Sequence, residues 1–283
     1  MGDRVVVVTD STSYLPRGWA VAESISVVPV QVIVAGRPYD ETDDDQAEVV
    51  SLALEQWQPV TTSRPSPERF LRSFTAAAEA GASHVVAVTL SADLSATYES
   101  ALIAAKEAPV PVEVIDSRTI AMGLGFAAVA GARLAAAGGS ALEVGDMIRP
   151  RAAAAQVTFY VDTLEYLRRG GRVSAARAAV GHALQVKPLL HIDDGHVAML
   201  EKVRTASRAL ARLTEIAVDF AATRPVDIAV QHLSSGARAA ALATQLRERL
   251  PSASVVECPV GGVVGAHVGP GMVAVVVSVR DDA

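Results

Sequence analysis

Cysteine and aromatic residues are scarce in this 283-residue chain, which has one cysteine, Cys258, and only 4% Phe, Trp and Tyr. A single cysteine excludes an intramolecular disulfide framework and a cysteine-based zinc site. Because Cys258 lies in an apolar run, residues 254–259, we interpret it as a buried structural thiol. Aliphatic side chains therefore have to build the core, and the 51% of hydrophobic residues is ample for one.

Excess positive charge and long hydrophobic runs are also missing. The chain has 25 Lys and Arg against 31 Asp and Glu, a formal net charge of −6, which argues against a nucleic-acid-binding surface. No apolar run approaches the ~18–20 residues that span a bilayer. The short apolar run after Arg4 does not have the pattern of a secretory signal. We expect a soluble, cytoplasmic protein with no nucleic-acid partner and no membrane span.

Strands and helices alternate along the first half of the chain. The predicted strands are residues 4–9, 24–34, 84–89 and 112–116, the second of them interrupted by Pro29. This alternation predicts a parallel, Rossmann-like sheet, in which ligands gather at the carboxyl ends of the strands. We assign residues 1–155 to this N-terminal α/β domain.

The second half has a different pattern. Residues 186–192 and 197–203 flank the turn Asp193-Asp194-Gly195-His196, and Asp-Gly favours the positive dihedral angles of a hairpin. Further predicted elements are helices 207–221 and 235–249 and strands 226–232, 254–259 and 273–279. We assign residues 156–283 to a second α/β domain with a mixed, partly antiparallel sheet that contacts the first domain extensively.

Two hydroxyl-rich segments precede predicted helices. Residues 60–67 include Thr62 and Ser63 in a predicted loop, and residues 91–97 include Ser95. Ser66 and Ser95 are candidates to cap these helices. The hydroxyls and the backbone N–H groups of a helix start can also hold a carboxylate or phosphate, and the two roles are compatible.

Two glycine-rich segments carry the other candidate site residues. Residues 265–271 read Gly-Ala-His-Val-Gly-Pro-Gly, which predicts an irregular loop that presents His267 to a ligand. A structural histidine is the alternative. In residues 168–172 the glycines let the backbone approach another group, and Arg172 supplies a permanent positive charge. A solvated basic turn is the alternative there.

Cofactor and metal signatures are weak. Neither a P-loop pattern nor a G-x-G-x-x-G sequence between a strand and a helix occurs. Asp10 and Asp116 follow predicted strands and could share a Mg²⁺ ion, but aspartates at strand ends more often fix turns. We expect no cofactor and no metal.

These segments together resemble the DegV family of bacterial fatty-acid-binding proteins from end to end. The resemblance is carried by residues 8–12 (VTDST), 61–67 (TTSRPSP), 94–101 (LSATYESA), 116–117 (DS), 159–174 (FYVDTLEYLRRGGRVS), 186–188 (VKP), 201–204 (EKVR) and 265–271 (GAHVGPG). It implies two α/β domains with one long-chain fatty acid between them, the acyl chain in an apolar tunnel.

The resemblance also implies residue roles and a partner. The carboxylate is expected to be held by Thr62 or Ser63, by Ser95 and by His267, with Arg172 nearby. The partner is expected to be a separate ATP-dependent fatty acid kinase, which makes an acyl-phosphate for phospholipid synthesis. Lys202 and Arg204 are candidates for docking it, with solvated charges as the alternative.

Two residues depart from the family pattern: Arg64 stands where Gln is usual, and Ala96 where Gly is usual. Arg64 either adds charge near the carboxylate or points to solvent, and Ala96 narrows its loop.

Two other functions stay open. One is a hydrolase or acyltransferase with Ser95 as nucleophile and His267 as base. The other is a regulator that binds a small anion. We favour a binding protein without catalytic turnover of its own.

Overall fold

The computed structural model describes residues 4–41, 46–172 and 187–280. The strands are β1 Val5–Asp10, β2 Ser26–Val28, β3 Gln31–Val34, β4 Arg37–Asp40, β5 Val60–Ser63, β6 His84–Thr89, β7 Val112–Asp116, β8 Gln156–Tyr160, β9 Lys187–Asp193, β10 His196–Val203, β11 Val226–His232, β12 Ser254–Pro259 and β13 Val273–Val279. The helices are α1 Trp19–Ala22, α2 Gln46–Glu55, α3 Pro67–Glu79, α4 Thr97–Ala105, α5 Met122–Ala136, α6 Ala141–Ala153, α7 Glu165–Arg169, α8 Ala206–Ala221, α9 Gly236–Arg249 and α10 Gly262–Val268. A short 3-10 helix covers Ser11–Ser13.

The first sheet is parallel, with strand order β2-β1-β6-β7. Its central strands are valine-rich because both faces are covered. Val8 packs with Phe70 and Phe74 of α3 on one face, and Val7 belongs to a cluster with Leu124 of α5 on the other. The predicted Rossmann-like sheet is confirmed.

The predicted strand 24–34 is wrong as a single element. Pro29 has no N–H to donate and a fixed φ, so the chain leaves the edge of the first sheet there. β2 pairs with β1, whereas β3 pairs antiparallel with β4 and β5 in a separate three-stranded sheet. The predicted loop at residues 61–63 is also wrong. These residues belong to β5, Val60–Ser63, where three β-branched residues in succession favour a strand.

The second sheet is mixed, as the sequence predicts. Its strand order is β10-β9-β8-β13-β11-β12. β9 and β10 form the predicted hairpin. The two turn residues, Asp194 and Gly195, have φ of 46° and 85°, the positive values that a two-residue hairpin turn requires. Residue 186, the predicted start of this hairpin, and motif residues 173–174 lie outside the described parts of the chain.

Helix α5 lies between the two sheets. Its Leu124 packs with the first sheet, while Met122 and Phe126 pack with Val157 and Val276 of the second. Helices α8 and α9 cover the opposite face of the second sheet. The predicted domain boundary at 155–156 stays a prediction; there the chain passes from α6 to β8, the first strand of the second sheet. Among the described helices, none has the length and apolar character needed to cross a membrane.

Candidate functional site

A cavity of about 240 Å³ lies between the two sheets, and both halves of the chain contribute to its walls. Its apolar lining is Val30, Leu90, Leu94, Ala96, Ile120, Ala121, Val157, Phe159, Leu167, Ile192, Val197, Val260, Val263, Val264, Val268, Met272 and Ala274. Phe159 is the one aromatic side chain among these residues, in line with an aliphatic tunnel. Its polar lining is Thr62, Ser63, Arg64, Ser95, Arg172, Gln231 and His267.

The five residues that sequence reasoning selects for ligand binding all line this cavity: Thr62, Ser63, Ser95, Arg172 and His267. They come from separate elements. Strand β5 carries the first two, the segment before α4 carries the serine, the segment after α7 carries the arginine, and α10 carries the histidine. The fold therefore brings together groups that are far apart in the sequence.

The predicted loop around His267 is wrong, because residues 265–268 are the last turn of helix α10. Apolar residues on α10 pack against β3 and α2, which stabilises a helix despite its two glycines. Gly269 follows the helix with φ 75° and ψ 167°, a backbone conformation that is open almost only to glycine. His267 is thus held by a packed helix and not by an irregular loop.

His267 and Thr62 form a hydrogen bond, with 3.0 Å between Nε2 and Oγ1. The other ring nitrogen, Nδ1, is buried without a hydrogen-bond partner. Gly170 packs directly against Nδ1, and a side chain at 170 would collide with the ring. Since an N–H buried without an acceptor is costlier than a lone pair without a donor, we assign the proton to Nε2. The Thr62 hydroxyl then accepts from His267 and has its own proton free for a ligand.

Arg172 stands beside His267 at the same end of the cavity. Its Nε donates to Leu94 O at 3.1 Å and its Nη1 to Gly170 O at 2.6 Å. Burial is the larger cause and the positive charge of Arg172 the smaller one, and together they lower the pKa of His267 to about 4. The imidazole is therefore neutral at pH 7, and Arg172 is the permanent cation of the site.

The serine hydroxyls of the site are not engaged in helix capping. Ser66 occupies the N-cap position of α3, but its side chain makes no capping hydrogen bond. The N-cap of α4 is Ala96, so the predicted cap at Ser95 is wrong. Ser95 Oγ lies 2.9 Å from Thr97 Oγ1. Ser63 Oγ donates to Arg64 O over 3.3 Å. Both bonds are weak local contacts that a stronger acceptor can replace.

Both departures from the family pattern are at this cavity. Arg64 and Ala96 line it, and Arg64 Nη1 reaches Ala96 O over 3.4 Å on the exposed side. The guanidinium thus spans from β5 to the loop before α4, close to Ser63 and Ser95 in the sequence. It adds a second positive charge at this end.

Sequence reasoning missed Gln231, a fully buried polar residue on the cavity wall. Its Oε1 accepts from the Met122 backbone N–H at 3.0 Å, and its Nε2 lies 3.5 Å from Cys258 Sγ. The signal was present, since Gln interrupts the apolar strand β11. Cys258 is buried, as predicted, and burial raises the pKa of its thiol to about 12.

Asp10 and Asp116 both fix backbone, as the alternative to a metal site predicts. Asp10 accepts from Thr12 N–H at 2.9 Å and from Leu90 N–H at 2.8 Å. Asp116 accepts from Ala92 N–H at 3.1 Å. In the described parts of the chain, no three His, Cys, Asp or Glu side chains group together as a metal site would require.

Lys202 and Arg204 lie away from the cavity. They line a shallow surface depression at the end of β10, together with Arg208, Arg212 and two glutamates.

A second depression of about 450 Å³ adjoins the cavity and shares Thr62, Arg172 and His267 with it. The polar end of the cavity is therefore the end that lies next to the surface.

Comparisons with known proteins identify the family of the chain and agree with its fold. The family model described as uncharacterised proteins of the DegV family matches residues 4–280. A DegV domain-containing protein of Streptomyces coelicolor is 50% identical over 281 residues, which cover 99% of this chain and all of that one. A structure from Thermus thermophilus, described as fatty acid binding of a DegV family protein, is 29% identical with a TM-score of 0.92, and 98% of this chain and all of that one are covered. A Bacillus subtilis structure, described as DegV, a fatty acid binding protein, is 28% identical with a TM-score of 0.90 at the same coverage.

Proposed function

The chain belongs to the DegV family, and on that premise we propose that it binds one long-chain fatty acid in the cavity between its two sheets. The observation that carries this proposal is the pairing of a mostly apolar cavity with a cluster of hydroxyl and cationic donors beside Thr62 and His267. Each methylene buried in such a cavity contributes about 0.8 kcal/mol, before the costs of association. A long acyl chain is therefore the ligand that uses this lining best.

The carboxylate is the part of the ligand that needs the polar end. A buried carboxylate is stable only when hydrogen-bond donors or a positive partner replace its water. Thr62 can donate because His267 Nε2 supplies the bond that its oxygen accepts. Ser63, Ser95 and the guanidinium of Arg172 complete the donor set. Together these residues supply about three or four donors to the two carboxylate oxygens.

A cytoplasmic fatty acid kinase is the partner in this proposal. The surface depression that shares Thr62, Arg172 and His267 with the cavity supports it, because a phosphoryl donor can approach a carboxylate from that side. The protein would then present its ligand for acyl-phosphate formation in phospholipid synthesis and would have no turnover alone. Lys202 and Arg204 are the proposed docking residues.

The two alternative functions are less well supported. For a hydrolase, a hydrogen bond between the nucleophile Ser95 and the base His267 is needed, but His267 Nε2 bonds to Thr62 and Ser95 Oγ bonds to Thr97. For a small-anion regulator, the cavity should be small and polar. Most of its lining is aliphatic, which favours an acyl chain instead.

Mass spectrometry of an organic extract from the purified protein tests the proposal. We expect one fatty acid per chain, whose length and unsaturation define the cavity. An empty extract, combined with no uptake of added palmitic or oleic acid, would contradict fatty-acid binding. Hydrolysis of acyl esters by the pure protein would contradict the absence of turnover.

A further inference from the structure

Three side chains of the N-terminal half meet at the start of helix α10, and we call them the α10 clasp: Ser11, Tyr14 and Glu41. Ser11 Oγ donates to Glu41 Oε2 and Tyr14 OH donates to Glu41 Oε1, each over 2.9 Å. The backbone N–H of Val263, in the first turn of α10, also donates to Glu41 Oε1, over 2.6 Å. One carboxylate thus collects three donors from both halves of the chain.

The two hydroxyls of the clasp relay further backbone groups. Ser11 Oγ accepts from Val30 N–H at 3.0 Å, and Tyr14 OH accepts from Val264 N–H at 3.1 Å. Each hydroxyl therefore donates to Glu41 and accepts from the main chain. Every chain of donors and acceptors in this network ends at the Glu41 carboxylate, which acts only as an acceptor. The carboxylate therefore determines which atom donates and which accepts in each bond.

The backbone groups that the clasp holds belong to the cavity wall. Val30, Val263 and Val264 all line the cavity, whereas Glu41 does not. Val263 lies four residues before His267, one helical turn away on the same face. Gly261, just before α10, has no room for a side chain because Glu41 Oε1 lies against it. The carboxylate thus contacts the first turn of the helix that carries His267.

We propose that Glu41, acting through Ser11 and Tyr14, is the positioning residue that holds α10 and His267 in place for the ligand. This inference rests on the proposed fatty-acid binding for its ligand, but the orientation of His267 can be measured without one. A role in stability alone would not require a buried polar side chain here, since well-packed apolar residues often serve as well. Burial raises the pKa of Glu41 to about 7, and the hydrogen bonds from Val263, Ser11 and Tyr14 act in the opposite direction.

Two variants of Glu41 separate positioning from charge. Glu41→Ala removes the acceptor of the Val263 N–H, whereas Glu41→Gln keeps a carbonyl oxygen for it. Asp40→Ala is the matched control, because Asp40 is the neighbouring carboxylate but pairs with Arg69 and Gln31, not with α10. Tyr14→Phe is a milder second test, since it removes the acceptor of the Val264 N–H and keeps the ring.

Two readouts are needed for each variant. The first is the titration of the His267 imidazole by ¹⁵N NMR in the ligand-free protein. The second is the affinity for oleic acid, measured by displacement of a dansylated fatty acid. We expect Glu41→Ala to raise the pKa of His267 toward its ordinary value and to weaken binding about tenfold or more. We expect Tyr14→Phe to change both readouts in the same direction, Glu41→Gln to restore both, and Asp40→Ala to change neither.

The outcomes distinguish this inference from the proposed function. An unchanged His267 titration in both Glu41→Ala and Tyr14→Phe would overturn the positioning role. So would a Glu41→Gln protein as defective as Glu41→Ala. If the wild-type protein binds no oleic acid while Glu41→Ala still shifts the His267 titration, the positioning role holds and the fatty-acid assignment fails.

Discussion

Thr62 Oγ1 and His267 Nε2 lie 3.0 Å apart although 205 positions separate the two residues in the sequence. The bond joins the three-stranded sheet of the N-terminal half to a helix of the C-terminal half. It also fixes the proton arrangement, because Nδ1 has no partner and faces Gly170. A neutral histidine thus turns a threonine hydroxyl toward the cavity as a donor.

Removal of the Thr62 hydroxyl should weaken fatty-acid binding. Thr62→Val keeps the shape of the side chain but deletes the donor to the carboxylate. A hydrogen bond to a charged group contributes about 1.5–3 kcal/mol, so we expect a loss of about tenfold or more in affinity. Thr62→Ser should bind nearly as the wild type does. Thr61→Val, at the exposed neighbouring position, is the control. Equal affinities for Thr62→Val and Thr61→Val would exclude the donor role.

Removal of the Arg172 charge should raise the pKa of His267. Arg172→Met keeps an unbranched stem and deletes the cation that disfavours imidazolium. Burial is the larger cause of the low pKa, so the value should rise above about 4 yet stay below 6.5. Histidine ¹⁵N NMR across pH 3 to 8 measures it. Arg169→Met, which removes an exposed cation stacked on Trp57, should leave the titration unchanged. An unshifted titration in Arg172→Met would show that the two groups are not coupled.

A side chain at position 170 should displace His267. The backbone of Gly170 has an ordinary helical conformation, so the requirement for glycine comes from its contact with the imidazole. We expect Gly170→Ala to fold and to lose about tenfold or more in fatty-acid affinity, since the ring must leave Thr62. Gly171→Asn is the control, because position 171 is open and asparagine tolerates its positive φ of 69°. Isothermal titration with oleic acid compares them, and normal binding by Gly170→Ala would contradict the contact.

The buried neutral histidine should make stability depend on pH. The pKa of His267 is lowered from 6.5 to about 4 in the folded protein, so its contribution is present above pH 6.5 and is lost as pH falls toward 4. The shift sets a ceiling of about 3 kcal/mol on that loss. Asp10 and Glu41 have raised pKa values and titrate with the opposite sign in an overlapping window. The difference in unfolding free energy between the wild type and His267→Gln therefore isolates the histidine.

Urea unfolding of ligand-free protein at pH 7.0 and 4.5 gives this difference. We expect the advantage of the wild type over His267→Gln to be smaller at pH 4.5. His84→Gln is a control, because His84 starts β6 far from the cavity. An advantage that does not change with pH would mean that His267 is not buried in its neutral form.

Local patterns predicted most of the secondary structure. The valine run of β1, the Asp-Gly turn between β9 and β10, and the strand β13 each have one favourable conformation, and the structure contains all of them. The candidate site residues all line one cavity. What they do for a ligand remains a prediction.

The errors arose where distant contacts decide the local structure. Glycine-rich residues 262–268 are a poor helix by propensity, and packing on α2 together with the Glu41 carboxylate stabilises them as α10. The chain leaves the first sheet at Pro29, and β3 becomes a strand only because β4 and β5 pair with it. Glu41 itself carried no sequence signal, since its partner on α10, Val263, lies 222 positions away.

Helix α5 is a layer shared by both sheets, and this excludes a simple hinge as the route for ligand exchange. If the two halves swung apart, Met122 and Phe126 would leave the second sheet, and the bond from Met122 N–H to Gln231 would break. Such an opening exposes core, unlike the wet cleft of a hinged binding protein. A fatty acid bound as proposed is therefore expected to enter and leave through local displacement of wall segments while the central layers stay closed.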